Sequence, residues 1–232
     1  MNKEGEFDLV KQQKLAEKYQ YIKELKKIVE EEKQKINDLI VVVEREIILE
    51  KEITIGEIFD LSKSETNGGK LTKSFINNHQ GEIPVYGASK DESAVYGKVE
   101  DNLRGINYFW DCLTWNRNGS IGKVFYRKGK FSLSTDVITL IVKEEYKDSI
   151  DLLFLKYAIE KEVSLHNFGF ANKAGKDKIK NMKIKIPITH EGNFDLAKQK
   201  EIAEKYKQIE EIKKNIKTEL EKIENIKIDI GI

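Results

Sequence analysis

Cysteine is almost missing from this chain. The one thiol, Cys112, leaves no partner for an internal disulfide and no cysteine set for a zinc ion. Such usage fits a reducing compartment, and a cytoplasmic location is expected. Proline is nearly as scarce: only Pro84 and Pro187 occur, so little interrupts long helices. His79, His166 and His190 are scattered and lack the i,i+4 spacing of a metal pair. No metal ion and no cofactor is expected. The sequence has no apolar run of about 18 residues and no apolar core near Met1, which argues against a membrane span or a secretion signal. An excess of one charge is lacking as well. The 41 Lys and Arg residues meet 40 Asp and Glu, a net +1 that excludes a strongly acidic mimic of DNA. The balance is uneven along the chain: residues 51–190 hold 22 basic against 18 acidic residues, with the basic ones gathered at 117–130 and 173–185.

What is present is self-similarity. The stretch Glu4-Gly5-Glu6-Phe7-Asp8-Leu9-Val10-Lys11-Gln12 returns as Glu191-Gly192-Asn193-Phe194-Asp195-Leu196-Ala197-Lys198-Gln199, and Ala16-Glu17-Lys18-Tyr19 as Ala203-Glu204-Lys205-Tyr206. About half the positions match over some 36 residues without a gap. Two copies around a single middle are not a solenoid, which needs three or more stacked units. Each copy carries a period of seven. Leu15, Ile22, Val29 and Ile36 fall in one register, and Ile202, Ile209, Ile216 and Ile223 repeat it. Leu25, Leu39, Ile212 and Ile226 follow three positions on, alternating with the polar Lys18, Glu32, Lys205 and Glu219. This is the seam of a left-handed coiled coil, in which polar members weaken pairing and fix register. Asp8 and Asp195 are candidate N-caps. Gln12 and Gln199 stand four positions later, one too far for a capping box. Helices of about 30–37 residues would span roughly 45–55 Å.

The middle reads differently. Residues 53–61 suggest a strand and turn, and Glu82–Gly87 and Ala94–Val99 suggest strands. Asp111–Trp115 leads into the polar turn Asn116-Arg117-Asn118-Gly119-Ser120. Val124–Arg127 and Phe131–Ser134 suggest a hairpin across Lys128-Gly129-Lys130, and Val137–Val142 a buried strand. Ile150–Leu165 has helical spacing, and Lys183–Ile188 alternates as a closing strand. The expected fold is α+β: one mixed α/β domain over 51–190, flanked by two long antiparallel coiled-coil helices over 1–50 and 191–232.

No catalytic residue is assigned. The isolated prolines exclude the Asn/Asp-Pro-Pro-aromatic motif of a DNA methyltransferase. No Gly-rich phosphate loop follows a strand. Ser120 lacks the upstream glycine of a nucleophile elbow. Asp136, Lys143 and Glu144 form a trio that any charged chain offers.

Taken together, Ile83-Pro84-Val85-Tyr86-Gly87, the turn 116–122, Ser134-Thr135-Asp136, the loop Ala171-Asn172-Lys173-Ala174-Gly175 and Ile184-Lys185-Ile186-Pro187-Ile188 before Gln199 resemble the target-recognition domain of type I restriction–modification specificity subunits. The resemblance covers almost the whole chain. It implies a non-catalytic DNA-recognition module whose helices bind methyltransferase (modification) subunits, with a restriction motor subunit joining through the complex. Such subunits carry two recognition domains and this chain one, so it resembles a half-subunit, a homodimer or a partner of a second specificity chain. Chemistry suited to DNA contact, phosphate binding or major-groove reading, is offered by Tyr86, Lys90, Asn116, Arg117, Asn118, Asn172, Lys173 and Lys176. Lys63, Lys70 and Lys73, around the flexible turn Asn67-Gly68-Gly69, suit phosphate contact. The competing readings are a coiled-coil adaptor with no nucleic-acid role and a fragment of a fusion-type restriction enzyme.

Overall fold

The computed structural model of the chain describes residues 8–45, 49–64, 66–118, 120–166 and 175–226. Two compact units emerge, one made of Met1–Ile47 with Glu204–Ile232, the other of Ile48–Ala203. Among the described residues no helix is long and apolar enough to cross a membrane. The chain opens with α1 (Leu9–Arg45), capped as its sequence suggests: Asp8 Oδ1 accepts the Lys11 N–H at 2.9 Å.

The second unit begins with β1 (Glu50–Thr54), followed directly by α2 (Ile55–Ile58). Of the strand and turn expected over 53–61, the strand part stops at Thr54. There a capping box starts a helical turn: Thr54 Oγ1 accepts the Glu57 N–H, and Glu57 returns a carboxylate to the Thr54 N–H at 2.8 Å. Next come α3 (Lys73–Asn78), β2 (Ile83–Tyr86) and β3 (Gly97–Val99), the last shorter than the stretch 94–99 suggests. Then follow β4 (Phe109–Asn116), β5 (Val124–Leu133) and β6 (Val137–Leu140), and α4 (Leu152–Ser164), whose Asp151 cap accepts the Phe154 N–H at 2.8 Å. The unit continues through α5 (Lys176–Lys180) and β7 (Lys183–Pro187) into α6 (Leu196–Glu224).

Five strands form one sheet in the order β3-β2-β5-β4-β6, antiparallel except for β2 beside β5. The expected hairpin at Lys128–Lys130 does not form. β5 runs straight through it, because Gly129 takes a left-handed φ of 74° and donates its N–H to Asp111 Oδ1 at 2.8 Å, opposite a bulge between Trp110 and Cys112. The bulge lets the sheet curl. Phe131 pairs with Phe109 and Val137 with Asn116, at opposite ends of β4. The six steps from residue 131 to residue 137 reach only ~20 Å, whereas a flat ladder would need ~24 Å along the strand before crossing it. Leu113, Trp115, Phe131, Leu133, Ile138 and Leu140 are fully buried, as are Leu155 and Ile159 of α4. A second, two-stranded sheet pairs β1 with β7, turning Ile53, Ile184 and Ile186 inward.

In the helical unit, the covered positions of α1 between Leu9 and Ile40 are Leu15, Ile22, Leu25, Val29, Glu32, Ile36 and Leu39. On α6 beyond Glu204 they are Lys205, Tyr206, Ile209, Ile212, Ile216, Glu219 and Ile223. Both sets follow the seven-residue period. The polar members are braced alike: Glu32 pairs with Lys35 at 2.6 Å and Glu219 with Lys222 at 2.7 Å. Lys222 is held above the ordinary lysine value by its hydrogen bond to Glu219, with a smaller push from Tyr21. With Tyr21 near Lys222 and α6 ending at Glu224, the burial of Leu25 and Val29 further along α1 requires the two helices to run antiparallel.

Candidate nucleic-acid interface

Where the sheet curls, four loops converge: 66–69, 87–93, 116–122 and 134–136. Each is tied to another by side chains that the sequence supplies. Asn116 ends β4 fully buried and donates from Nδ2 to the Ser89 carbonyl at 2.8 Å. The Arg117 guanidinium donates to the Thr135 carbonyl, and the Arg117 N–H to the Asp136 carbonyl at 2.8 Å. Asn118 Nδ2 reaches Asp136 Oδ1 at 2.7 Å. The Thr135 hydroxyl donates to the Gly68 carbonyl. Gly122 closes the turn with φ 83°, and a Cβ there would meet Val163 at 2.5 Å.

Beneath the loops lies a brace that sequence reasoning missed. Arg127, only 2% exposed, stacks over Tyr86 at 3.8 Å and Phe125 at 4.7 Å and donates to the Glu92 carbonyl. Burial pushes its guanidinium below the ordinary arginine value, opposed by Tyr86 and Glu92. Glu92 also accepts the Tyr126 N–H at 3.1 Å and pairs with buried Lys156 at 3.3 Å. On the other side, Asn67 is buried rather than flexible. Its Nδ2 donates to Ser132 Oγ at 2.8 Å and to the Leu133 and Asn107 carbonyls, both at 3.2 Å, and its Oδ1 accepts the Asn107 N–H at 2.6 Å. The only local signal for Asn67 is an Asn before two glycines, which reads as a turn.

The structure thus gathers Tyr86, Lys90, Asn116, Arg117 and Asn118 in one place, with Lys90 exposed, Tyr86, Arg117 and Asn118 half-buried, and Asn116 interior. Lys176, exposed at the start of α5, instead donates to the carbonyls of Leu61 and Ser64. Asn172 and Lys173 lie outside the described residues. Lys63 pairs with Asp60 at 3.3 Å, Lys70 donates to the Gly105 carbonyl at 2.8 Å, and Lys73 sits over the Tyr96 ring. The acidic trio has other attachments: Asp136 holds Asn118, and Glu144 pairs with Lys147 at 2.6 Å. Among the described residues no group of three His, Cys, Asp or Glu is placed to hold a metal ion.

The sequence thus sets a curled sheet with fixed polar loops between two copies of one heptad helix. Residues 48–225 match the family model described as the type I restriction modification DNA specificity domain, and the chain belongs to that family. It is similar to a Mycoplasma pneumoniae protein named as type I specificity subunit S.MpnORF507P, 29% identical over 168 residues, covering 72% of this chain and 41% of the relative. It is also similar to the specificity subunit of the type I restriction enzyme MpnII of the same organism, 32% identical over 120 residues, covering 52% of this chain and 35% of the relative. Among solved structures, the S subunit of the type I restriction–modification system of M. genitalium superposes with a TM-score of 0.52 at 19% identity, covering 93% of this chain and 56% of that one. A structure of a type I restriction–modification system does so at 0.56 and 13%, covering 92% and 55%. At these identities the structures show the fold. The chain spans about half the length, or less, of the curated relatives it matches.

Proposed function

We propose that this chain reads one half of a bipartite site in double-stranded DNA and holds methyltransferase subunits along its paired helices, with no catalytic residue of its own. A restriction motor subunit joins through that complex. The observation that carries the reading is the single DNA specificity domain set between two copies of one heptad helix. Arg117 and Asn118 present a guanidinium and an amide from a loop fixed on a sheet, as base reading requires, and exposed Lys90 supplies a phosphate contact. Asn172, Lys173 and Lys176 supply phosphate contacts. Tyr86 and Asn116 position the loops from below.

The test is methylome sequencing of cells that carry the matching methyltransferase subunits, with and without this chain. Methylation at one bipartite sequence is expected only with it. Ile209→Asp with Ile216→Asp puts two charges into the seam. This pair should abolish that methylation and co-purification with the methyltransferase, while the Trp115 fluorescence of the domain stays native. Methyl transfer by the purified chain alone, or an unchanged methylome without it, refutes the reading.

A further inference from the structure

A buried cation beneath the loop cluster is only half used. Arg127 is 2% exposed, and its Nη1 donates to the Glu92 carbonyl. Its other edge, Nε with Nη2, is sealed from solvent and meets no hydrogen-bond acceptor. Arg117 Nε and Asn116 Oδ1 nearby are buried without partners as well. Leaving such groups unpaired forfeits their hydration with nothing in return, and the loss is greatest for a charged group. The rings of Tyr86 and Phe125, centred 3.8 and 4.7 Å from the guanidinium carbon, attract its face and leave that edge empty.

The cover over this guanidinium is thin. From Gly87 to Ser93 no residue is buried, and Lys90 to Ser93 are exposed. Polar ties hold the segment down. Asn116 donates to the Ser89 carbonyl at 2.8 Å and Arg127 to the Glu92 carbonyl, while the Glu92 carboxylate takes the Tyr126 N–H at 3.1 Å and Lys156 at 3.3 Å. A segment with so little buried opens at low cost. Once it lifts, the Glu92 carbonyl meets water, and Arg127 on its flexible arm is able to turn Nε and Nη2 outward. Those two nitrogens lie side by side in the guanidinium plane, at the spacing of two phosphate oxygens.

We propose that segment 87–93 is a lid over a phosphate site, and that it lifts when DNA binds so that Arg127 takes two oxygens of one backbone phosphate through Nε and Nη2. The inference rests on the reading of this chain as a DNA-recognition protein. The closed lid withholds every acceptor from that edge. The lifted state therefore binds phosphate and the closed state does not, which is the differential affinity by which a ligand shifts a balance.

The reporter is the Tyr126 amide, whose acceptor is the lid's Glu92 carboxylate. In the assembly with methyltransferase subunits, adding a duplex of the sequence it methylates should quicken exchange of that amide about tenfold. The Gly129 amide, bonded to Asp111 away from the lid, should not change. Arg127→Met removes charge and fork at similar length. It should keep the urea midpoint at or above that of the natural chain, weaken duplex binding about tenfold near 0.1 M salt and lower the salt slope by about one. Arg127→Lys, which keeps the charge without the fork, should keep the slope and lose part of the affinity. A Tyr126 amide that the duplex leaves unchanged, or protects further, overturns the lid. An Arg127→Met chain that unfolds at lower urea yet keeps its salt slope makes Arg127 a structural brace and overturns the phosphate site. Inorganic phosphate alone, at equal ionic strength, should not open the lid; opening as full as with the duplex overturns the assignment to DNA. Failure of the natural assembly to bind any duplex refutes DNA reading itself, an outcome distinct from a bound duplex under a closed lid.

Discussion

Replacing Asn67 by alanine tests whether the loop cluster is braced from beneath. The side chain makes four hydrogen bonds to the segments at Asn107 and Ser132–Leu133. Two of its partners have substitutes, since the Ser132 hydroxyl already donates to the Asn107 carbonyl at 2.8 Å. The Asn107 N–H and the Leu133 carbonyl would lose the amide. A buried backbone group left unpaired costs roughly 1–3 kcal/mol, so Asn67→Ala should lose about 2–6 kcal/mol, a large share of the ~5–15 kcal/mol that holds a domain together. Asn67→Asp keeps the acceptor for Asn107 but turns a carboxylate on two carbonyls. Burial and those carbonyls would raise the new carboxyl's folded pKa above its unfolded value. Its deficit should therefore be small in acid, where the group is protonated in both states, and grow as pH rises through the unfolded value toward the folded one. Urea unfolding followed through buried Trp115 measures both variants. A loss under about 0.5 kcal/mol for Asn67→Ala, the ordinary size for a surface change, would show that the loops are held by other means.

The exposed loop residues should divide by role. Lys90→Ala should weaken DNA binding evenly across sequences and flatten its salt dependence by about one unit of slope. Arg117→Ala should relax one position of the half-site by about 1–3 kcal/mol; an unchanged preference over single-base variants would make that turn a structural corner only. Burial, with the Asp111 carboxylate beside it, pushes the Cys112 thiol up to about 12 from an unfolded value near 9. The neutral thiol's contribution is thus intact below pH 9 and lost as pH climbs toward 12. Native protein at pH 8 should resist iodoacetamide until urea unfolds it, and rapid alkylation of the folded chain would contradict that burial.

The helices were legible because a period of seven is written in consecutive residues, and the second copy writes it again. Asp8 and Asp195 cap their helices within three residues, a distance that local chemistry covers. The strand and turn over 53–61 were legible as a pair, and the capping-box spacing of Thr54 and Glu57 marks where one gives way to the other. Lys128-Gly129-Lys130 looked like a turn because a glycine between lysines carries no sign of the bulge at Asp111, a partner set by ladder register. The polar turn 116–118 was visible as chemistry, but its division into interior and surface was not. Asn116 faces inward because Ser89, 27 residues earlier, lies over it. Asn67 likewise answers to partners 40 to 66 residues away. Gln199 was weighed only as a helix cap, and its actual partners at Ser149 and Asp151 are about 50 residues upstream.

The pairing of β1 with β7 has a genetic consequence. The strand that follows α1 and the strand that precedes α6 are hydrogen-bonded neighbours, with Glu50 opposite Pro187. Both ends of the intervening segment therefore lie side by side. The repeats on either side are offset by 187 residues, the difference between Glu191 and Glu4, with no gap between them. Crossing over at any matched codon of the two copies would leave a helix whose heptads remain in phase, while a whole domain is gained, lost or replaced. Under the proposed function, such an exchange would give the chain a new sequence preference in one step.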